Sequence, residues 1–211
     1  MILEQIPVSP RTFNAEFTEF PKMARLSRDC VISEKIDGTN AQVYIEELPD
    51  DTVMPTHTPI VAVAGKLLIY AGSRSRLITP EDDNFGFARW VKDNAEQLAL
   101  LGPGRHFGEW WGSGIQRGYG LPKGEKRFSL FAIDRYKDSP LEKVPGLAVV
   151  PELYRGEFDT MIIKSKLRLL DVLGSKAAPG YDNPEGLIIY HEASREVFKL
   201  TFDDTPKGNQ E

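Results

Sequence analysis

CVISEKIDGTNAQVYIEE, residues 30–47, holds two apolar runs about a short turn. Cys30, Val31 and Ile32 begin the first run, which predicts a strand over residues 30–35. Ala41, Val43 and Ile45 alternate with polar neighbours, the period-two pattern of a strand with one buried face, over residues 41–47. Asp37-Gly38 between them is a turn pair that any protein can use. Lys35 gives the turn chemical interest. A free lysine ammonium has a pKa of about 10.4, so using it as a nucleophile near neutral pH costs about 4 kcal/mol. Burial and neighbouring cations supply that cost. A solvated strand-end lysine satisfies the same K-x-D-G letters, and the tetrapeptide alone does not choose.

Working outward, residues 60–64 and 67–71 predict a strand pair turning at Gly65-Lys66, after a polar, proline-rich loop over residues 48–59. Phe87, Trp90, Val91, Ala95 and Leu98 recur at helical spacing over residues 84–100, and Gly102-Pro103 stops that helix. Residues 105–111 and 127–134 read as strands, separated by a loop rich in glycine and cations. A second helix is expected over 159–173, with Asp159 or Thr160 as its cap and Gly174 past its end. Residues 185–191 and 196–202 read as a closing hairpin. Strands dominate and helices are inserted between them, which is the pattern of an α+β fold with antiparallel sheets.

The 211 residues suit a single domain over 1–211, and 41% hydrophobic residues can fill a core. A net charge of −5 argues against wholesale coating of a polyanion but leaves room for a local basic groove. No apolar run is long enough to span a membrane, and MILEQIPVSPRTF lacks the regions of a signal peptide. The single cysteine, Cys30, fits a reducing, cytoplasmic setting, and the three scattered histidines offer no zinc spacing.

Other stretches carry chemistry with a plain alternative beside it. In GSRSR, residues 72–76, two arginines could grip phosphate or decorate a surface turn. Glu109, inside HFGEWWGSGIQRGYG (residues 106–120), sits in an aromatic strand and needs a partner, either a ribose hydroxyl or a buried arginine. Gly112, Gly114 and Gly118 do not make a dinucleotide loop, because Gly120, Pro122 and Gly124 break the chain where a helix should follow. Arg117, Lys123, Lys126 and Arg127, interleaved with Trp110, Trp111 and Tyr119, suit either nucleic-acid contact or a solvated loop over core aromatics. Phe131 is simplest as core, and stacking on a base requires it to face a pocket. Glu185 and Lys199 share a sheet face only if the loop between their strands has an odd number of residues, pairing Ile189 with Lys199.

The order of these signals is more specific than any one of them. Lys-x-Asp-Gly, an arginine turn, Phe-Gly-Glu, an aromatic strand, Glu-Gly-Leu-Ile and a strand lysine together resemble the covalent nucleotidyltransferase superfamily of polynucleotide ligases and capping enzymes, and within it the RNA ligase 2-like branch. EKIDGTN, with Asn40, is similar to RNA ligases, and FGEWWGSGIQRG matches that branch's third motif over more than ten residues. The resemblance covers roughly residues 20–202. It implies a nucleotidyltransferase core, ATP-grasp-like, and an ATP-dependent RNA ligase.

By the same resemblance, Lys35 would attack the α-phosphate of ATP and hold AMP covalently, and the Glu34 backbone would read the adenine. Asn40 would lie near the reacting phosphate or strand end, and Arg74 would bind phosphate. Glu109 would hold the ribose and Phe131 would stack on the adenine. Glu185 would orient a hydrated Mg2+ or Mn2+, and Lys199 would contact the α-phosphate. The partner implied is RNA with 5′-phosphate and 3′-hydroxyl ends, including nicked duplex. Two departures stand out. Thr201 occupies the place of a second motif lysine, with Lys207 in the tail as a candidate substitute, and the chain ends nine residues after Phe202 without an accessory domain, a role open to a separate protein partner. The alternatives are a DNA ligase or DNA-end adenylyltransferase, a guanylyltransferase, and a nucleic-acid-binding module with a degenerate catalytic site.

Overall fold

The computed structural model describes residues 19–23, 28–48 and 59–203. Most of the 48–59 loop and Lys207 lie outside the described residues. Strand β1 (Asp29–Lys35) and strand β2 (Thr39–Glu47) flank the Lys-x-Asp-Gly turn, but they do not pair with each other. The turn instead carries the chain from one sheet to another.

The smaller sheet has four antiparallel strands in the order β11-β10-β1-β9, where β9 is Glu152–Glu157, β10 is Gly186–His191 and β11 is Glu196–Thr201. Strand β1 is buried from Cys30 to Glu34, and its pairing with β9 shifts register between Ile32 and Ser33. Cys30 and Ile32 face helix α3 (Thr160–Leu173), which meets them with Ile163, Leu167 and Leu170, residues spaced to share one helical stripe. Asp159 caps α3 by accepting from Met161 N–H at 2.6 Å, and Gly174 follows its end at φ 77°, as the capping residues predict.

The larger sheet has seven strands. Its main path is β3 (Ala62–Ala64), β4 (Leu67–Ser73), β2, β6 (Gly104–Gly112), β7 (Lys126–Leu130) and β8 (Leu147–Val149), with β5 (Leu77–Ile78) on β4. All its pairs are antiparallel except β7 with β8. Val43, Ile45, Ile69, Trp110 and Phe128 on one face pack against α1 (Phe87–Asp93) and α2 (Ala95–Leu98). The single helix expected over 84–100 is broken at Asn94, whose side-chain amide donates to the Trp90 carbonyl at 2.8 Å. β7 ends at Leu130, earlier than expected, because the chain turns into a 3-10 turn at Ile133–Tyr136.

A third, smaller core of Ile36, Trp111, Tyr119, Val150 and Ala178 fills the seam between the sheets, directly beneath the turn. Trp110, Trp111 and Tyr119 are all buried, so the aromatics of the glycine-rich loop are core and offer nucleic acid no surface. Tyr119 Oη accepts from the Asp37 N–H at 2.8 Å. Arg117 donates to Asp37 at 3.0 Å and to Asn183 Oδ1 at 3.0 Å. That loop is therefore a scaffold for the lysine turn.

Glu34 is 1% exposed and faces α3's side of the sheet. Its carboxylate accepts from Ser175 Oγ at 2.6 Å, Lys176 N–H at 2.8 Å and Ala177 N–H at 2.9 Å. It ties the segment after α3 to β1. Glu34→Ala strands two backbone donors and a hydroxyl in the interior, and the expected loss of unfolding free energy is about 3 kcal/mol, measured by urea denaturation. A loss below about 1 kcal/mol contradicts this role.

Candidate active site

Lys35 lies one residue beyond Glu34 and so faces the other way. On that face Val31, Ser33 and Lys35 of β1 join Ile188 and Tyr190 of β10 and Val197 of β11 as one wall of a cavity of about 690 Å³. Glu109 and Phe131 from the larger sheet line the opposing side, and Ile133, Asp134 and Arg135 continue its rim. A volume of this size suits a nucleotide-sized ligand.

Lys35 Nζ is 2.6 Å from Glu185, which reaches it across 150 positions of sequence. The two groups are mostly shielded from solvent, with 24% and 17% of their side chains exposed. The hairpin accomplishes this in an unexpected way. Its loop holds four residues, 192–195, between the paired His191 and Glu196, so Lys199 pairs with Ile188 and the odd-loop requirement fails. The register on β10 still gives Lys199 the pocket face, because Lys35 pairs with Gly186 and Ser33 with Ile188. Glu185 escapes the alternation because Gly186, at φ 153°, lets the chain swing round. A Cβ on Gly186 would stand 2.2 Å from the Leu200 carbonyl oxygen, so no other residue fits there.

Glu109 is the second carboxylate beside Lys35. Burial raises its pKa from 4.5 to about 7, against the opposing pull of Lys35 and a hydrogen bond from the Gly38 N–H, while Glu185 and Asp37 push it further up. Among the described residues no arginine partners Glu109, and its carboxyl lines the cavity. Gly38 permits the approach, since a Cβ there would lie 2.5 Å from the Trp110 carbonyl oxygen. Asn40 stands opposite Glu109 in the β2–β6 register.

Phe131 faces the pocket and is 41% exposed, which meets the condition for stacking and replaces its simpler assignment to the core. Glu34 lines the pocket, but its N–H is occupied by the Pro151 carbonyl at 3.0 Å and its side chain is structural. Four expected residues stand outside the cavity lining: Asn40, paired with Glu109; Glu185, bonded to Lys35; and Arg74 and Lys199. Lys199 is exposed on the same sheet face as Lys35, two strands away, about 10 Å by strand spacing. Arg74 is exposed just after Ser73, the residue paired with Ala41, and so stands beside the start of β2. Its neighbour Arg76 is engaged with Asp82. Thr201 is buried opposite Gly186. Among the described residues no cluster of three or more His, Cys, Asp or Glu side chains could hold a metal by itself.

Sequence reasoning missed Ser33, Tyr190 and the rim group Asp134–Arg155, in which Arg155 donates to both Asp134 oxygens at 3.0 Å. Ser33 was available from the period-two pattern through Lys35. The rim was not, because β9, which carries Arg155, had gone unrecognised.

The RNA ligase family model matches residues 28–201, and the chain belongs to that family, within the nucleotidyltransferase superfamily. A search of curated protein sequences finds no match. Among solved structures, the chain is similar to an RNA ligase of Naegleria gruberi: a mutant in apo form at TM-score 0.53 and 20% identity, and a mutant with AMP and Mn at TM-score 0.53 and 20% identity. A structure of that RNA ligase with PPi gives TM-score 0.52 at 18% identity. Each comparison covers 83% of this chain and 50% of the other, so the chain spans about half the length of the proteins it matches. At this identity the likeness establishes the mixed α+β fold with its antiparallel sheets. No helix among the described residues is long and apolar enough to cross a membrane.

The raised pKa of Glu109 has a signed consequence. Between pH 4.5 and 7 the folded state holds a proton that the unfolded state has lost, so stability is greatest below 4.5 and falls as pH rises through about 7. Glu109→Gln removes that slope. The variant is expected to gain on the order of 3 kcal/mol relative to the parent between pH 4.5 and 8, read from urea unfolding at a series of pH values. A pH-independent difference contradicts the assignment.

Proposed function

We propose that the chain is the nucleotidyl-transfer core of an ATP-dependent RNA ligase, acting at nicks or breaks in RNA with 5′-phosphate and 3′-hydroxyl ends. One observation carries this: Lys35 opens into a nucleotide-sized cavity between two glutamates, with a solvent-facing phenyl ring on the opposing wall. Family membership supports the reaction class, and the structures of the Naegleria RNA ligase with ATP and Mn and with AMP and Mn support the choice of nucleotide and ion.

Lys35 attacks as the free amine. Its Nζ forms a bond to the α-phosphorus of ATP, the bond to the bridging oxygen breaks, and pyrophosphate leaves. Glu185, already hydrogen-bonded to Nζ, is the nearest group to receive the proton. An oxygen of the RNA 5′-phosphate then attacks the same phosphorus, the P–N bond breaks, and Lys35 takes up a proton again. The 3′-hydroxyl finally attacks the 5′-phosphorus and AMP leaves. Glu109 and Phe131, which both line the cavity, are assigned to the ribose hydroxyls and to stacking on adenine. Asn40, beside Glu109, and Arg74, beyond the end of β4, are assigned to the phosphates or strand end, as is Lys199 on the shared sheet face. The Glu34 backbone is assigned to the base.

Mg2+ or Mn2+ fits this donor set, since such ions use one or two carboxylates plus substrate phosphates, and Glu185 is the protein ligand proposed here. When bound, the ion shields the charge that gathers on phosphorus.

The test is nick sealing with ATP and magnesium. The parent protein is expected to form AMP-capped RNA and then sealed product. Lys35→Ala is expected to form neither from ATP, yet to join a strand supplied already adenylated, because only the last step remains. Sealing of an unadenylated strand by Lys35→Ala overturns the assignment. Comparing ribose with deoxyribose at the 3′-hydroxyl side separates RNA ligase from DNA ligase.

A further inference from the structure

The pocket wall continues onto the face of the larger sheet opposite α1 and α2. Phe131 N–H donates to the Phe107 carbonyl at 3.0 Å, extending the register in which Gly108 opposes Leu130. Phe107 and Phe131 therefore stand side by side on one face. Phe131 lines the cavity and Phe107 lies just outside it, 46% exposed. Two residues back along β6, Arg105 opposes Tyr44, and its guanidinium carbon lies 4.2 Å from the Tyr44 ring centroid. Tyr70 backs Tyr44 from the other side, with centroids 5.3 Å apart and planes at 24°. Arg105 Nη1 donates to Gln42 Oε1 at 2.9 Å, and Arg135 donates to the Arg105 carbonyl at 2.7 Å. The guanidinium is thus held over an aromatic column and is itself exposed.

An exposed phenyl ring, a fixed guanidinium and a primary amide on an antiparallel sheet are the groups that bind unpaired bases. Rings and guanidinium planes stack on any base, and the cation also meets phosphate. The face is continuous with the cavity through Phe131, and Arg105 and Arg135 put positive charge along its border. We propose that Phe107, with Arg105 beside it, is a stacking platform for an unpaired base of the nucleic-acid strand whose end is brought to Lys35. The proposal rests on the ligase reading for what happens at that end, but the contact itself is a binding event.

The test measures affinity for a short single-stranded RNA bearing a 5′-phosphate, by fluorescence anisotropy at fixed salt, with AMP-adduct formation followed in parallel by intact mass. Phe107→Ala is expected to weaken binding about tenfold, Phe107→Trp to restore it, and Phe107→Leu to fail to restore it. RNA with abasic terminal nucleotides should lose the same factor with the parent protein and nothing further with Phe107→Ala. Adduct formation should stay within about twofold of the parent in every variant, because Phe107 lies outside the cavity lining. Unchanged affinity in Phe107→Ala, or full rescue by leucine, overturns the platform. Absence of the adduct from parent and variants alike, with Phe107-dependent binding intact, removes the ligase reading and keeps the platform. If the alanine variant does not fold, the leucine and tryptophan variants with the abasic strand decide the matter.

Discussion

Two successive residues of β1 point in opposite directions, and the site depends on that alternation. Glu34 turns inward, where a hydroxyl and two backbone N–H groups hold its carboxylate; Lys35 turns outward into the cavity. A buried carboxylate is costly unless every acceptor position is used, so Glu34 sets the register of β1 against the segment that follows α3. With the register set, the next residue has one direction open to it. The turn after Lys35 then crosses between sheets, and Tyr119 and Arg117 hold it from below through Asp37. Hydrogen bonds thus tie the turn to distant parts of the chain, Asp37 to Tyr119 and Arg117 and Lys35 to Glu185.

The electrostatics follow from the same arrangement. Lys35 sits between a glutamate that is hydrogen-bonded to it and a second whose carboxyl is buried enough to hold its proton near neutral pH. The cavity presents Lys35, hydrogen-bonded to Glu185, together with the protonatable carboxyl of Glu109 and the phenyl ring of Phe131. Phosphate charge can then be balanced by Lys35 and by whatever cations lie along the pocket face, of which Lys199 is one by register.

Much of this was legible in the sequence where local chemistry sets the structure. β1 and β2 followed from alternation about Asp37-Gly38, and α3 from Asp159, Gly174 and an apolar stripe. The family motifs brought Lys35, Glu109, Phe131 and Glu185 together on paper; the fold sets the first three around one cavity and hydrogen-bonds Glu185 to Lys35. What was not legible depends on pairing between distant residues. β8 and β9 were missed because short strands with weak alternation take their identity from their neighbours. The loop-parity condition on Glu185 and Lys199 assumed ideal alternation through residue 185, and Gly186 breaks it. The tryptophans of the third motif looked available to a ligand because composition cannot separate a core aromatic from an exposed one, and the exposed ring, Phe107, went unremarked beside them.

The central claim is that the Lys35 amine is the group that receives the nucleotide. The most direct measurement is tandem mass spectrometry of the protein after incubation with ATP and magnesium, locating any bound AMP by peptide. The account predicts AMP on the peptide containing Lys35, with fragment ions assigning it to that side chain. AMP attached to a different residue contradicts the claim, and so does an unmodified Lys35 peptide in a sample that has released pyrophosphate.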